Sequence, residues 1–198
     1  MISEDFFRFV TGLLFIAFVL HRAYYNRKYP PVEDDTVEVQ SQGGAGLIAN
    51  LLAILALASL VLYFVNPEWM AWSALPLPDW LRMFGVLVSV AGFSLLQWSQ
   101  HALGRNWSDQ PRITQSQTLT ISGPYRWIRH PIYTSFLMIL GSSLLITANW
   151  FIGLTWIIVT VIDIRSRIDF EEAKLQERFG ENYESYKQST GSLLPRFR

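Results

Sequence analysis

The sequence predicts an all-α integral membrane protein: about five transmembrane helices, spans four and five joined as a tight hairpin, then a cytosolic C-terminal helical segment. Three observations carry this. Long apolar runs recur with almost no polar interruption: 47–65 holds only Asn50 and Ser59, 9–20 only Thr11, and 83–96 only serines. Fourteen of the sixteen basic residues follow the first, third or fifth run, and the opposite loops carry none. Only Thr147-Ala148-Asn149 separates the fourth run from the fifth.

The spans are read at 6–24, 46–65, 80–103, 131–146 and 150–164. Runs of roughly 17–25 apolar residues cross a bilayer as helices, because a segment in hydrocarbon must satisfy its own backbone hydrogen bonds. The acidic start Met1-Ile2-Ser3-Glu4-Asp5 lacks the basic region of a signal peptide, so the first span is expected to be retained. The polar stretch 26–44, with Pro30-Pro31 and Glu33-Asp34-Asp35, reads as a solvated loop. In span three, Gly85, Ser89 and Gly92 share a helical face that lets a neighbouring helix approach closely. After Ile164 the fifth helix runs on to Phe179, where Gly180 ends it. A short helix over 181–188 follows, with Tyr183 and Tyr186 on one face, and the tail 193–196 folds back. The whole of 1–198 is one membrane domain, with three spans in 1–103 and the remaining elements in 104–198.

The basic asymmetry gives an outside N-terminus and a cytosolic C-terminus, a parity that five spans satisfy. With no cysteine, disulfides, thiolate catalysis and thiolate metal sites are excluded. The three histidines, at 21, 101 and 130, are far apart, and no metal site is expected.

Two polar blocks flank the hairpin. The first, Gly123-Pro124-Tyr125-Arg126-Trp127-Ile128-Arg129-His130-Pro131-Ile132-Tyr133, sets charge directly against an apolar run, where it is costly without a partner. Pro131 suits the first turn of a helix, so His130 sits at its positive dipole end, which favours an anionic ligand group. Arg126 and Arg129 reinforce that preference, since an arginine clamps a carboxylate through two parallel bonds. An interfacial anchor of aromatics and snorkelling arginines fits the same residues equally well. The second block, 163–172, spaces Asp163, Arg167 and Glu171 four apart. A tight hairpin makes spans four and five antiparallel neighbours, so the two blocks converge.

Gly123-Pro124-Tyr125-Arg126-x-x-Arg129-His130-Pro131-x-Tyr133, an apolar hairpin, Arg167-x-x-x-Glu171-Glu172 and Phe179-Gly180-x-x-Tyr183-x-x-Tyr186 together resemble the isoprenylcysteine carboxyl methyltransferase family. Leu103-Gly104-Arg105-Asn106-Trp107-Ser108 is similar to the stretch after span three in prokaryotic members. The resemblance covers about half the chain, from Leu103 to Pro195. It implies an enzyme of the prokaryotic inner membrane that uses S-adenosylmethionine (SAM), with 104–198 as the cofactor-binding core closed by the C-terminal segment. By the same resemblance Gln117, Tyr125, Arg129, His130, Pro131, Tyr133, Glu171, Glu172 and Tyr183 contact the cofactor. Arg167, Glu171 and Glu172 are the catalytic candidates, and Arg165 and Arg167 bind the substrate. The family has histidine where this chain has Gln117, and often glycine where it has Ser135. Glutamine hydrogen-bonds but carries no charge, which puts one cofactor contact in question.

The implied partners are membrane lipids and a lipophilic or lipidated substrate, without nucleic acid, and a monomer suffices. A carboxylate acceptor is ionised at neutral pH and needs a cation to orient it, for which Arg167 is the candidate. An amine acceptor, as in a phospholipid N-methyltransferase, needs a base, for which Glu171 or Glu172 serves. A sterol-reductase-like NADPH enzyme carries Asn-Tyr-x-Gly-Glu after His-Pro; Ile132-Tyr133-Thr134-Ser135-Phe136 stands here instead.

Overall fold

The structure is a computed structural model that describes residues 2–30, 36–39, 44–107, 112–114 and 118–196. Its helices are α1 (Glu4–Lys28), α2 (Gly44–Val65), α3 (Asp79–Leu103), α4 (Pro131–Gly141), α5 (Ser143–Ile146), α6 (Trp150–Phe179) and α7 (Glu181–Ser189). Among the described residues, three helices are long and apolar enough to cross a membrane: Glu4–Lys28, Leu47–Val65 and Asp79–Asn106. Phe9, Leu13, Ile16, Leu51, Ile54, Leu87 and Val90 are exposed along them, a surface suited to lipid. The fourth apolar stretch, Pro131–Ile146, is shorter and broken at Ser142 between α4 and α5. α6 is half apolar and half charged, which keeps it outside the long spans.

One element departs from the helical reading. Thr36–Val39 forms β1 and pairs antiparallel with β2 (Arg112–Thr114). The stretch read as a solvated loop therefore holds a strand, consistent with the β-branched residues in Thr36-Val37-Glu38-Val39.

The hairpin is fixed at its tip. Ala148 turns the chain at φ +46°, and Asn149 caps α6 by accepting from the Ile152 backbone N–H at 3.1 Å. The Asn149 amide donates to the Met70 carbonyl at 3.0 Å, and the Ser73 hydroxyl donates to Asn149 at 3.0 Å. These bonds tie the tip to the 3₁₀ helix Pro67–Ser73. Close approach behind the tip requires glycine: a Cβ on Gly153 would lie 2.3 Å from Leu144 Cβ and 2.4 Å from its Cα. The predicted small face of α3 does the same against α4, where a Cβ on Gly92 would fall 2.9 Å from Ile139 and Met138.

At the hairpin end, Arg82 of α3 makes a two-pronged ion pair with Glu4 of α1, at 2.7 and 3.1 Å. Its Nε donates to the Ile146 carbonyl at 3.0 Å, and its guanidinium lies 3.7 Å from the Phe7 ring centroid. Tyr63 of α2 donates to the same carboxylate. One knot thus joins α1, α2, α3 and α5.

Candidate active site

The opposite end of the bundle holds a cleft lined by residues of α1, α3, α4, α6 and α7 together with the segments 104–107 and 118–125. Pro131 occupies the first turn of α4 and His130 its N-cap, as the sequence predicted. His130 Nε2 lies 3.2 Å from Glu172 Oε1, and its Nδ1 3.5 Å from Glu171 Oε2. The Tyr133 ring stacks on the imidazole at 5.6 Å, and its hydroxyl donates to Glu171. The two polar blocks therefore interlock through side chains of α4 and α6.

Arg129 is occupied on every side. Its Nε and Nη2 contact Glu172 Oε1 at 3.1 Å, and its Nη1 donates to the Thr190 carbonyl at 2.6 Å and the Lys187 carbonyl at 3.2 Å. Lys187 completes the group at 3.2 Å from Glu172 Oε2. The carboxylate-clamping role foreseen for this arginine is met by Glu172 of the chain itself. The backbone N–H groups of Arg129 and His130 donate to the Gly191 and Ser192 carbonyls at 2.9 and 3.0 Å. These bonds seat the returning tail just before the start of α4, and Leu193 also accepts from the Thr134 hydroxyl at 2.6 Å. Arg126 is exposed outside the cleft, 5.6 Å from the Trp127 ring centroid, an arrangement typical of an interfacial anchor.

The charges alter the protonation of the cluster. Burial alone would lower the His130 pKa, but hydrogen bonds to Glu171 and Glu172 outweigh it and raise it. The bond from His130, then Arg129 and Lys187, overcome burial and hold Glu172 down to about 2. Burial pushes the Tyr186 phenol up to about 12, and its hydroxyl donates to the Tyr125 carbonyl at 2.8 Å.

Of the residues singled out in the sequence, Tyr125, Arg129, His130, Tyr133, Arg167, Glu171 and Tyr183 line the cleft. Glu172 and Pro131 stand behind this lining: Glu172 holds Arg129, His130 and Lys187, and Pro131 is buried in the first turn of α4. Arg165 is exposed and outside the lining, which corrects its pairing with Arg167. Two residues along a helix turn a side chain through roughly 200°, so the two arginines cannot share a face. Gln117 lies outside the described residues. Arg167 Nε donates to Asp163 at 2.8 Å, the predicted i, i+4 pair.

The cleft also takes residues to which the sequence reading gave no role at the site: Arg22 from α1, Gln100 from α3, Thr118 and Thr120 before α4, and Asn106 and Trp107 of the family-like stretch 103–108. Asn106 Nδ2 donates to the Thr118 carbonyl and to the Thr118 and Thr120 hydroxyls at 3.0–3.1 Å, which fixes that wall. The signal for Arg22 was its place among the basic residues after span one, read there only for topology.

SAM suits this lining. It offers Glu171 to an ammonium, Trp107 and several tyrosines to an aromatic base, and hydroxyls to a ribose. The Tyr183 hydroxyl is buried, belongs to a cleft-lining residue, and has no hydrogen-bond partner among the described residues. A buried hydroxyl without a partner is costly, and a polar ligand in the cleft would supply one.

Residues 84–177 match the family model described as the Isoprenylcysteine carboxyl methyltransferase (ICMT) family. The chain is 31% identical over 127 residues to the Protein-S-isoprenylcysteine O-methyltransferase of Homo sapiens, covering 63% of this chain and 44% of that protein. It is 32% identical over 103 residues to Methanethiol S-methyltransferase 1 of Bradyrhizobium diazoefficiens, covering 52% of this chain and 33% of that protein. The chain thus spans under half the length of either relative. Its fold is similar to the structure of a eukaryotic intramembrane Ras methyltransferase ICMT solved without a monobody, with TM-score 0.59, 22% identity, and coverage of 75% of this chain and 52% of that one.

Proposed function

We propose, from the match of residues 84–177 to the isoprenylcysteine carboxyl methyltransferase family model, that this membrane protein is a SAM-dependent methyltransferase acting on an anionic group, foremost a carboxylate, of a lipophilic acceptor. The observation that carries the reading is the junction of the two polar blocks, where His130 lies between Glu171 and Glu172 at the edge of an aromatic cleft.

In this reading Glu171 and the Tyr183 hydroxyl hold the polar groups of the cofactor, and Trp107 and Tyr125 provide apolar surface for its base. The cofactor supplies a methyl group on a sulfonium, already activated for transfer. What remains for the protein is alignment and the exclusion of water. Arg167 orients the acceptor oxygen, its guanidinium plane steadied by Asp163. Ile132, Phe136 and Leu175 form the apolar part of the lining. No base is needed, because a carboxylate is ionised at neutral pH. The basic asymmetry of the sequence supports five spans and a cleft on the cytosolic side of the membrane.

The test is binding of SAM and S-adenosylhomocysteine by calorimetry to the solubilised wild type, His130→Ala and Glu172→Ala. Both variants are expected to lose affinity by tenfold or more, on the order of one charge-assisted contact. Undiminished binding in both overturns the assignment of the site, and binding of NADPH in place of SAM redirects it to a reductase. Transfer of labelled methyl to prenylcysteine, thiol and lipid amine acceptors then identifies the acceptor group.

A further inference from the structure

We propose that Arg22, at the end of α1 and outside the family-matched segment 84–177, is a specificity-determining residue that acts with Arg167 to select an anionic group on the acceptor; this rests on the methyltransferase reading above. Arg22 lines the same cleft as Arg167, Glu171 and Tyr133, although it lies more than a hundred residues before them in the chain. Its guanidinium lies 5.7 Å from the centroid of Phe136, itself a lining residue that contacts Tyr133 at 6.4 Å and Phe18 at 5.5 Å. A guanidinium over an aromatic face is both attracted to the ring and held in orientation.

The last turns of α1 are fixed where Arg22 stands. The neighbouring His21 hydrogen-bonds the buried Gln100 of α3. One turn later, Gln97 of α3 donates to the Tyr25 hydroxyl at 3.0 Å, and the Tyr25 ring meets Trp107 edge-on at 5.8 Å. The last turns of α1 thereby form one wall of the cleft, while its exposed apolar residues stay on the outer surface of the bundle.

Arg129 and His130 hold Glu172 at one side of the cleft, and His130 also meets Glu171. Arg22 and Arg167 line the same cleft, Arg22 over the Phe136 ring and Arg167 steadied by Asp163. Two guanidiniums in a lining that also carries an aromatic ring suit a ligand with an anionic head on an apolar body.

The test uses the full chain in nanodiscs and two probes of equal shape, N-acetyl-S-farnesylcysteine and its carboxamide, each with and without saturating S-adenosylhomocysteine. Wild type should bind the acid about tenfold or more tightly than the amide, the scale of a charge-assisted contact. Arg22→Gln should lower that ratio several-fold, the remainder being held by Arg167, with S-adenosylhomocysteine affinity unchanged, and Arg22→Lys should restore part of the loss. An unchanged ratio in Arg22→Gln, a wild-type ratio near one, or a parallel loss of nucleotide binding each overturns the proposal. Wild type that binds no S-adenosylhomocysteine defeats the methyltransferase reading instead, while the acid-to-amide ratio without nucleotide still decides on Arg22.

Discussion

Nε2 of His130 lies 3.2 Å from Oε1 of Glu172, the oxygen that also receives Arg129. One carboxylate on α6 thus gathers the N-cap of α4, the arginine before it and Lys187 of α7. The cleft wall and the helix before the returning tail meet at this carboxylate.

Removing that carboxylate should loosen both. Glu172→Ala leaves Arg129 and His130 largely buried without their anion. We expect a loss of roughly 2–3 kcal/mol, somewhat below a fully buried pair because Glu172 keeps some exposure. Thermal unfolding in detergent measures the loss, and proteolysis near residue 190 reports release of the tail. A variant with wild-type Tm and an equally protected tail would remove Glu172 from this role.

The same cluster sets a pH dependence. Glu172 is depressed from 4.5 to about 2 in the folded protein, so its contribution is complete above 4.5 and lost as pH falls towards 2. His130 is raised above 6.5, so its contribution is complete below 6.5 and lost as pH rises through the folded value. The Tm difference between wild type and Glu172→Gln should therefore be largest between about pH 4.5 and 6.5 and shrink on both sides. A difference constant from pH 3 to 9 would contradict the pairing.

Tyr183→Phe separates ligand binding from folding. The lost hydroxyl has no partner among the described residues, so Tm should hold. SAM affinity should fall about fivefold, near 1 kcal/mol for one neutral hydrogen bond. Equal affinity in both proteins would mean that the cofactor does not reach this hydroxyl.

Arg165→Ala and Arg167→Ala should diverge despite their proximity in sequence. Arg165 points away from the cleft, and its loss should leave kcat/KM within about twofold, as for an exposed side chain. Loss of Arg167 should lower kcat/KM by about 100-fold, near the cost of removing a charged contact to the acceptor. Methyl-transfer assays on both variants give the comparison, and equal effects would undo the distinction.

Gly153→Ala probes the hairpin. Its Cβ meets the backbone of Leu144, which cannot swing aside as a flexible side chain would. Destabilisation of about 1–3 kcal/mol is expected from overpacking. A neutral substitution would mean that α5 and α6 separate without cost.

The hairpin and both polar blocks were legible because each rests on local signals: Pro131 at a helix start, only three residues between two apolar runs, and charges spaced four apart. Convergence then followed from the short turn between them. Arg165 was misplaced because charge was read without its angle around the helix. Arg22 was read only for topology, Gln100 lay at the end of an apolar span, and Asn106 stood in the family-like stretch 103–108 without a role of its own. Their roles come from the way α1 and α3 pack, through His21 on Gln100 and Tyr25 on Trp107. The strand at Thr36–Val39 depends on a partner more than seventy residues away, which no local pattern announces.

Glu4 and Arg22 lie on the same helix eighteen residues apart, about 27 Å along its axis at 1.5 Å per residue. The pair with Arg82 clamps the first of these at a fixed height. α1 then behaves as a plumb line, and the position of Arg22 along the bundle is set from the far end of the helix. Bilayer thickness strains such a line whenever it departs from the helix's own length.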